Sequence, residues 1–131
     1  ILLRALDEIH RQNIVHRDIK PSNILFTAGS SSRVSALRGV EHKYGVVKIA
    51  DFGVAHDFED PLGQLPEVAG SGPYMAPEIW REAEPTFSSD LYSLGATLYE
   101  VLSGSPPFLA ESAYELMVKH FDEPIPDIRL Q

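Results

Sequence analysis

The 131 residues carry 44% apolar and 23% charged side chains, which suffices for one modest core and so bounds the chain to a single domain or part of one. A net charge of −8 argues against nonspecific affinity for nucleic acid or anionic membrane, and the absence of cysteine excludes disulfides and thiolate metal sites. No apolar run approaches the roughly 18 residues that span a bilayer and no charged-then-apolar leader opens the chain, so the expectation is an intracellular, cytoplasmic protein with no membrane segment.

In chain order, ILLRALDEIHRQN places Leu2, Leu3, Leu6 and Ile9 at helical spacing and predicts an amphipathic helix ending near Asn13. The stretch HRDIKPSN, His16 to Asn23, then gathers a histidine, an arginine, an aspartate, a lysine and an asparagine. Pro21 lacks an amide hydrogen and fixes its φ, so the stretch is a loop. Ile24, Leu25 and Phe26 form a short strand, and Tyr44 to Ala50, YGVVKIA, its partner. Residues 27–45 between them are rich in Gly and Ser and far too long for a hairpin connection, which predicts a flexible insertion.

The second strand runs into Asp51-Phe52-Gly53, and a glycine-rich segment leads to Ala76-Pro77-Glu78. In SSDLYSLGATLYEVLSG, apolar or small residues occur nearly all round a helix, from Leu91 through Leu94, Ala96, Leu98 and Tyr99 to Leu102, which predicts burial. Ser88 or Ser89 is the expected N-cap and Gly104 the stop. Pro106 and Pro107 enforce a loop, AESAYELMVKHF reads as another amphipathic helix, and Pro124 and Pro126 prevent regular structure beyond it.

The three motifs HRDIKPSN, Asp51-Phe52-Gly53 and Ala76-Pro77-Glu78, in this order and with strands and helices in matching places, resemble the C-terminal lobe of a eukaryotic-type Ser/Thr protein kinase. The resemblance implies a mainly α (α+β) fold over residues 1–131, helical with short β-hairpins, in which residues 51–78 are the activation segment. A complete kinase domain also has a small lobe with a glycine-rich loop, a strand lysine and a helix glutamate. None is present in this sequence and Ile1 is not an initiator methionine, so the expectation is a chain that starts in mid-domain, lacks its N-terminal lobe and is inactive alone. The implied reaction moves the γ-phosphoryl group of ATP, with Mg²⁺, to a Ser/Thr hydroxyl of a protein substrate. The alternative is a noncatalytic pseudokinase, scaffold or truncated remnant. Retention of Asp18, Lys20, Asn23 and Asp51 favours the enzyme for the parent protein.

By this resemblance Asp18 is the carboxylate that orients the substrate hydroxyl and accepts its proton, and Lys20 is the point charge that stabilises the phosphoryl oxygens. Asp51 and Asn23 match the magnesium ligands, an oxygen pair suited to a hard cation that keeps part of its water. A helix or turn cap is the plainer alternative for Asn23. Gly53 permits a sharp turn after the ligand, and Phe52 supplies an apolar plug. His16 is structural and packs beneath the metal-ligand segment, while Asp90 matches a carboxylate that reaches the backbone of the loop. A simple charge at a helix N-terminus is compatible with the same role for Asp90. Glu78 matches a residue that pairs with an arginine beyond the end of this chain, so it is expected to stand without that partner.

Ser71 stands where the family usually has a threonine bridging the catalytic aspartate and lysine; it keeps the hydroxyl and loses the methyl. Val68, Gly72 and Met75 match the pocket for the substrate residue after the phosphorylated one, suggesting a small or apolar preference. Arg17 matches the arginine that receives an activating phosphate in many kinases, yet Val54 to Gly70 holds no Ser, Thr or Tyr. Glu67 is therefore read as a built-in negative charge for Arg17, with His56 as a second donor; a solvated glutamate is the alternative. Within the kinases, ADFGVAHDFED and AGSGPYMAPE are similar to calmodulin-dependent kinase kinases, whereas SDLYSLGATLYEVLSGSPPF, with Tyr92 in place of the usual tryptophan, resembles bacterial-type kinases. Ser22 lacks the acidic side chain of strongly basophilic kinases. Glu100 leaves a basic-substrate preference open, as do the fifteen Asp/Glu against three Lys/Arg over residues 51–131.

Overall fold

The computed structural model describes residues 1–27, 46–51 and 71–130. Residues 28–45, Phe52, Gly53, His56, Glu67 and Val68 lie outside the described residues. Helix α1 spans Leu2–Arg11, helix α2 Phe87–Ser103 and helix α3 Ala113–Asp122, with short 3₁₀ turns at Pro21–Asn23, Gly72–Tyr74, Ile79–Arg81 and Ile128–Leu130. Strands β1, Ile24–Thr27, and β2, Val46–Ile49, form an antiparallel ribbon. The architecture is mainly helical with a small antiparallel β component, the α+β class expected. No helix among the described residues is long and apolar enough to cross a membrane.

Helix α1 turns its apolar stripe inward. Leu6 is 1% exposed and joins Ile19 and Leu94 in a core against which Leu2, Ile49 and Leu98 pack. Burying a leucine of this kind contributes about 2 kcal/mol. Leu3, one residue off the stripe, is exposed. The helix ends where Asn13 adopts a left-handed φ of 62°, a conformation that asparagine tolerates better than most residues.

The ribbon is in the register Ile24↔Ile49 to Thr27↔Val46. Thr27, expected as the first residue of the insertion, is instead the last paired residue of β1. Because the strands are antiparallel, the start of β1 and the end of β2 share one end of the ribbon. The Ala50 amide donates to the Asn23 carbonyl there at 2.8 Å, so Asn23 and Asp51 emerge side by side.

Helix α2 begins earlier than the serines suggested. Thr86 is the N-cap: its hydroxyl accepts from the Ser89 amide, and the Ser89 hydroxyl accepts from the Thr86 amide, a reciprocal capping box. Gly104, at φ 90°, closes the helix as expected, in a conformation few side chains allow. Its burial is one-sided. Asp90, Leu94, Ala96 and Thr97 are buried, whereas Leu91, Val101 and Leu102 face outward, so the apolar circumference overstated how much of the helix is covered. Helix α3 is capped by the Ser112 hydroxyl, which accepts from the Glu115 amide, and it presses Leu116 and His120 into a second core with Trp80 and Phe108.

Candidate active site

The loop between α1 and β1 is held from below by one buried carboxylate. Asp90, 1% exposed, accepts the His16 amide at 2.8 Å, the Arg17 amide at 2.9 Å and His10 Nε2 at 2.8 Å. Arg17 sits at φ 73°, a left-handed geometry that costs a non-glycine residue about 1 kcal/mol or more. The carboxylate bond to its amide holds it there. Asp90 is thus more than a helix-terminal charge. His10 is the residue the sequence did not flag; it stacks on Phe87 with ring centroids 4.4 Å apart and meets Asp90 across 80 positions of chain. No local pattern signals such a pairing.

His16 is fully buried, and its Nε2 lies 3.1 Å from the Ala50 carbonyl, directly before Asp51. Burial lowers its pKa, opposed by the Ala50 carbonyl and by the negative charges of Asp90, Asp18 and Asp51. Asp51 is exposed, with a left-handed φ of 53°.

Above this base lies a compact polar pocket. The Ser71 hydroxyl donates to Asp18 Oδ1 at 2.6 Å and accepts from Lys20 Nζ at 3.0 Å. Lys20 Nζ also pairs with Asp18 Oδ2 at 2.9 Å, and Asn23 Nδ2 donates to the same oxygen at 2.9 Å and to the Asp18 carbonyl at 2.8 Å. Burial raises the Asp18 pKa, but hydrogen bonds from Ser71 and Lys20, the Lys20 charge and the Asn23 amide outweigh it, so the carboxyl lies below its usual range. Asp18 is therefore an ionised acceptor at neutral pH. With its nitrogen committed to Asp18, the atom Asn23 offers a hard cation is its carbonyl oxygen. Among the described residues no group of three or more His, Cys, Asp or Glu could hold a metal. An oxygen pair from Asn23 and Asp51 suits magnesium, which retains water, better than zinc.

The remaining described site candidates divide between the surface and the second core. Arg17 is exposed, and Ser22 likewise. Gly72 is buried, while Met75 packs on the Trp80–Phe108–Leu116 core. Tyr74, between them, donates its hydroxyl to Glu100 Oε2 at 2.5 Å, and burial followed by the Glu100 carboxylate pushes its pKa well up. Glu78, expected to stand without its arginine, has a different partner: its Oε1 accepts the Ser89 hydroxyl at 2.6 Å, which ties the Ala76-Pro77-Glu78 motif to the capping box of α2. Tyr92, in the position of the usual tryptophan, reaches His120 Nδ1 at 2.7 Å, and burial with the nearby Glu78 charge pushes its pKa up to about 12.

The protein kinase domain family matches residues 1–130, and the chain belongs to that family. It is 38% identical over 125 residues to a probable serine/threonine-protein kinase PknB of Bifidobacterium longum, an alignment covering 93% of this chain and 16% of that protein. A probable serine/threonine-protein kinase PknB of Lactococcus lactis is 38% identical over 128 residues, 97% of this chain and 18% of that protein. Serine/threonine-protein kinase TIO of Arabidopsis thaliana is 39% identical over 124 residues, 95% of this chain and 8% of that protein. The chain thus spans less than a fifth of the length of these curated relatives.

Proposed function

We propose that the parent protein is an ATP-dependent serine/threonine protein kinase and that this chain supplies its catalytic base and metal ligands. The observation that carries the reading is the ionised Asp18 carboxylate, held by Lys20 and Asn23 of its own loop and by Ser71 from 53 residues away. A core built only for stability has no use for that set. In this reading Asp18 accepts the proton of the substrate hydroxyl as it attacks, and Lys20 steadies the negative charge that develops on the transferred group. Asn23 and Asp51 would hold the magnesium ion, whose bound form neutralises phosphate charge. Asp90 and His16 position both ends of the arrangement through the loop backbone and the Ala50 carbonyl. Residues 51–78 serve as the activation segment, with Glu67 as a built-in negative charge for Arg17 and His56 as a second donor to it.

The chain alone is inactive in this account. An apolar hollow of about 290 Å³, lined by Ile1, Leu2, Leu3, Phe26, Val47 and Leu98, supports a covering small lobe that brings the rest of the nucleotide site. The relatives' names support serine and threonine as acceptors, and Lys20 fits them. Incubation of the full-length gene product with labelled ATP, Mg²⁺ and a mixed peptide library tests the reading. Label on Ser/Thr peptides, reduced about 10²- to 10⁴-fold by Asp18→Asn, supports it. Tight Mg-ATP-independent folding with no transfer would favour the pseudokinase or scaffold reading instead.

A further inference from the structure

Ser71 does more than bridge Asp18 and Lys20: its hydroxyl is arranged as an acceptor. We propose that Ser71 is itself a phosphorylation site, modified within the same molecule by the Asp18 pocket, and that its phosphate closes the pocket to substrate. The inference rests on the kinase reading above and adds to it a modification site and a self-limiting mode of control.

An activated nucleophile is recognised by a hydroxyl within hydrogen-bond reach of a base that a third group holds in place. Ser71 Oγ lies 2.6 Å from Asp18 Oδ1, and the other carboxylate oxygen is fixed by Lys20 and Asn23, each at 2.9 Å. Ser71 is neither sealed in the core nor fully exposed. It is the N-cap of the Gly72–Tyr74 turn, in which Gly72 and Pro73 are buried, so the backbone that follows it is fixed while its side chain fronts the pocket. Serine also lacks the branching methyl that stiffens χ1 in threonine, so the hydroxyl can change rotamer at little cost.

The step balances with ATP as donor. The Ser71 proton passes to the Asp18 carboxylate, the Oγ–phosphorus bond forms, the bond from that phosphorus to the ADP oxygen breaks, ADP leaves, and Asp18 returns its proton to water. The product adds a charge of about −1.5 to −2 and three acceptor oxygens at this point. Lys20, already 3.0 Å from Oγ, would then pair with phosphate, and Asp18 would face a like charge where a substrate hydroxyl must enter.

The test is phosphosite mapping by mass spectrometry on the full-length gene product incubated with Mg-ATP, alongside transfer to a serine peptide. The expected result is phosphate on Ser71 approaching one per molecule, at a first-order rate that does not change with protein concentration. Peptide transfer should fall by about tenfold or more as that stoichiometry is reached. An Asp18→Asn chain mixed with the wild type should stay unmodified at Ser71; label delivered to it in trans overturns the intramolecular route. Peptide phosphorylation with Ser71 unmodified overturns the inference and leaves the kinase reading standing. Modified Ser71 with unchanged peptide turnover overturns the control role, and absence of transfer to any acceptor removes the kinase reading and this inference together.

Discussion

The polar pocket around Asp18 and the apolar cluster around Trp80 lie on either side of the Gly72–Tyr74 turn and obey opposite rules. In the pocket, Asp90 holds two backbone amides and His10, and Asp18 is held by Ser71, Lys20 and Asn23. In the cluster, Trp80 Nε1 and His120 Nε2 are buried with no hydrogen-bond partner among the described residues, although the Gly72 carbonyl opposes part of the effect of burial on His120. An unpaired buried donor or acceptor costs about 1–3 kcal/mol, so the difference is substantial. Hydrogen bonds fix direction, whereas apolar contacts fix only shape and volume. The pocket aims its polar groups; the cluster, apart from the bond between Tyr92 and His120 Nδ1, is mainly filled.

The sharpest way to break the comparison is to remove the group that aims the pocket. Asp90→Ala leaves the His16 and Arg17 amides without their acceptor and releases the strained Arg17 backbone. We expect a loss of about 3–5 kcal/mol in urea denaturation, with peptide transfer falling further than the remaining folded fraction explains. A loss under about 1 kcal/mol would mean that the loop holds itself.

The cluster has a pH signature of its own. Burial pushes the His120 pKa down to about 4, against about 6.5 in the unfolded chain. The unfolded state therefore takes up a proton that the folded state refuses. Stability from this residue is full above pH 6.5 and declines as pH falls toward 4, where it levels off. Between pH 7 and pH 4.5 the wild type should lose about 2–3 kcal/mol more than a His120→Gln variant, read from paired denaturation curves.

The smallest effect sharpens the contrast. Trp80→Phe deletes the unpartnered Nε1 donor together with part of the ring, so relief of the orphan offsets the lost packing. We expect a thermal midpoint within a few degrees of wild type, equivalent to about 1 kcal/mol or less. A loss near that of Asp90→Ala would mean that the cluster is aimed after all.

Much of the pocket was legible in the sequence because its chemistry is local. Asp18, Lys20 and Asn23 sit within six residues, and Pro21 marks the loop that carries them. The two short apolar runs placed Asn23 and Asp51 beside the ends of β1 and β2, and the antiparallel pairing brought those ends together. Long-range partners were less legible. His10 meets Asp90 and Ser89 meets Glu78 through tertiary geometry alone, and the choice of Thr86 over Ser88 or Ser89 as cap depends on where the chain enters α2. The outward Leu91, Val101 and Leu102 failed the burial rule because periodicity reports apolar character without saying what stands opposite.

The account turns on Asp18 being kept ionised by neighbours that the fold assembles. Carbon-13 NMR titration of the Asp18 side-chain carboxyl measures that directly and needs no turnover. The midpoint should lie below the ordinary aspartate value of about 3.9 and move upward in a Ser71→Ala variant. A midpoint at or above the ordinary value, unmoved by Ser71→Ala, would contradict the account.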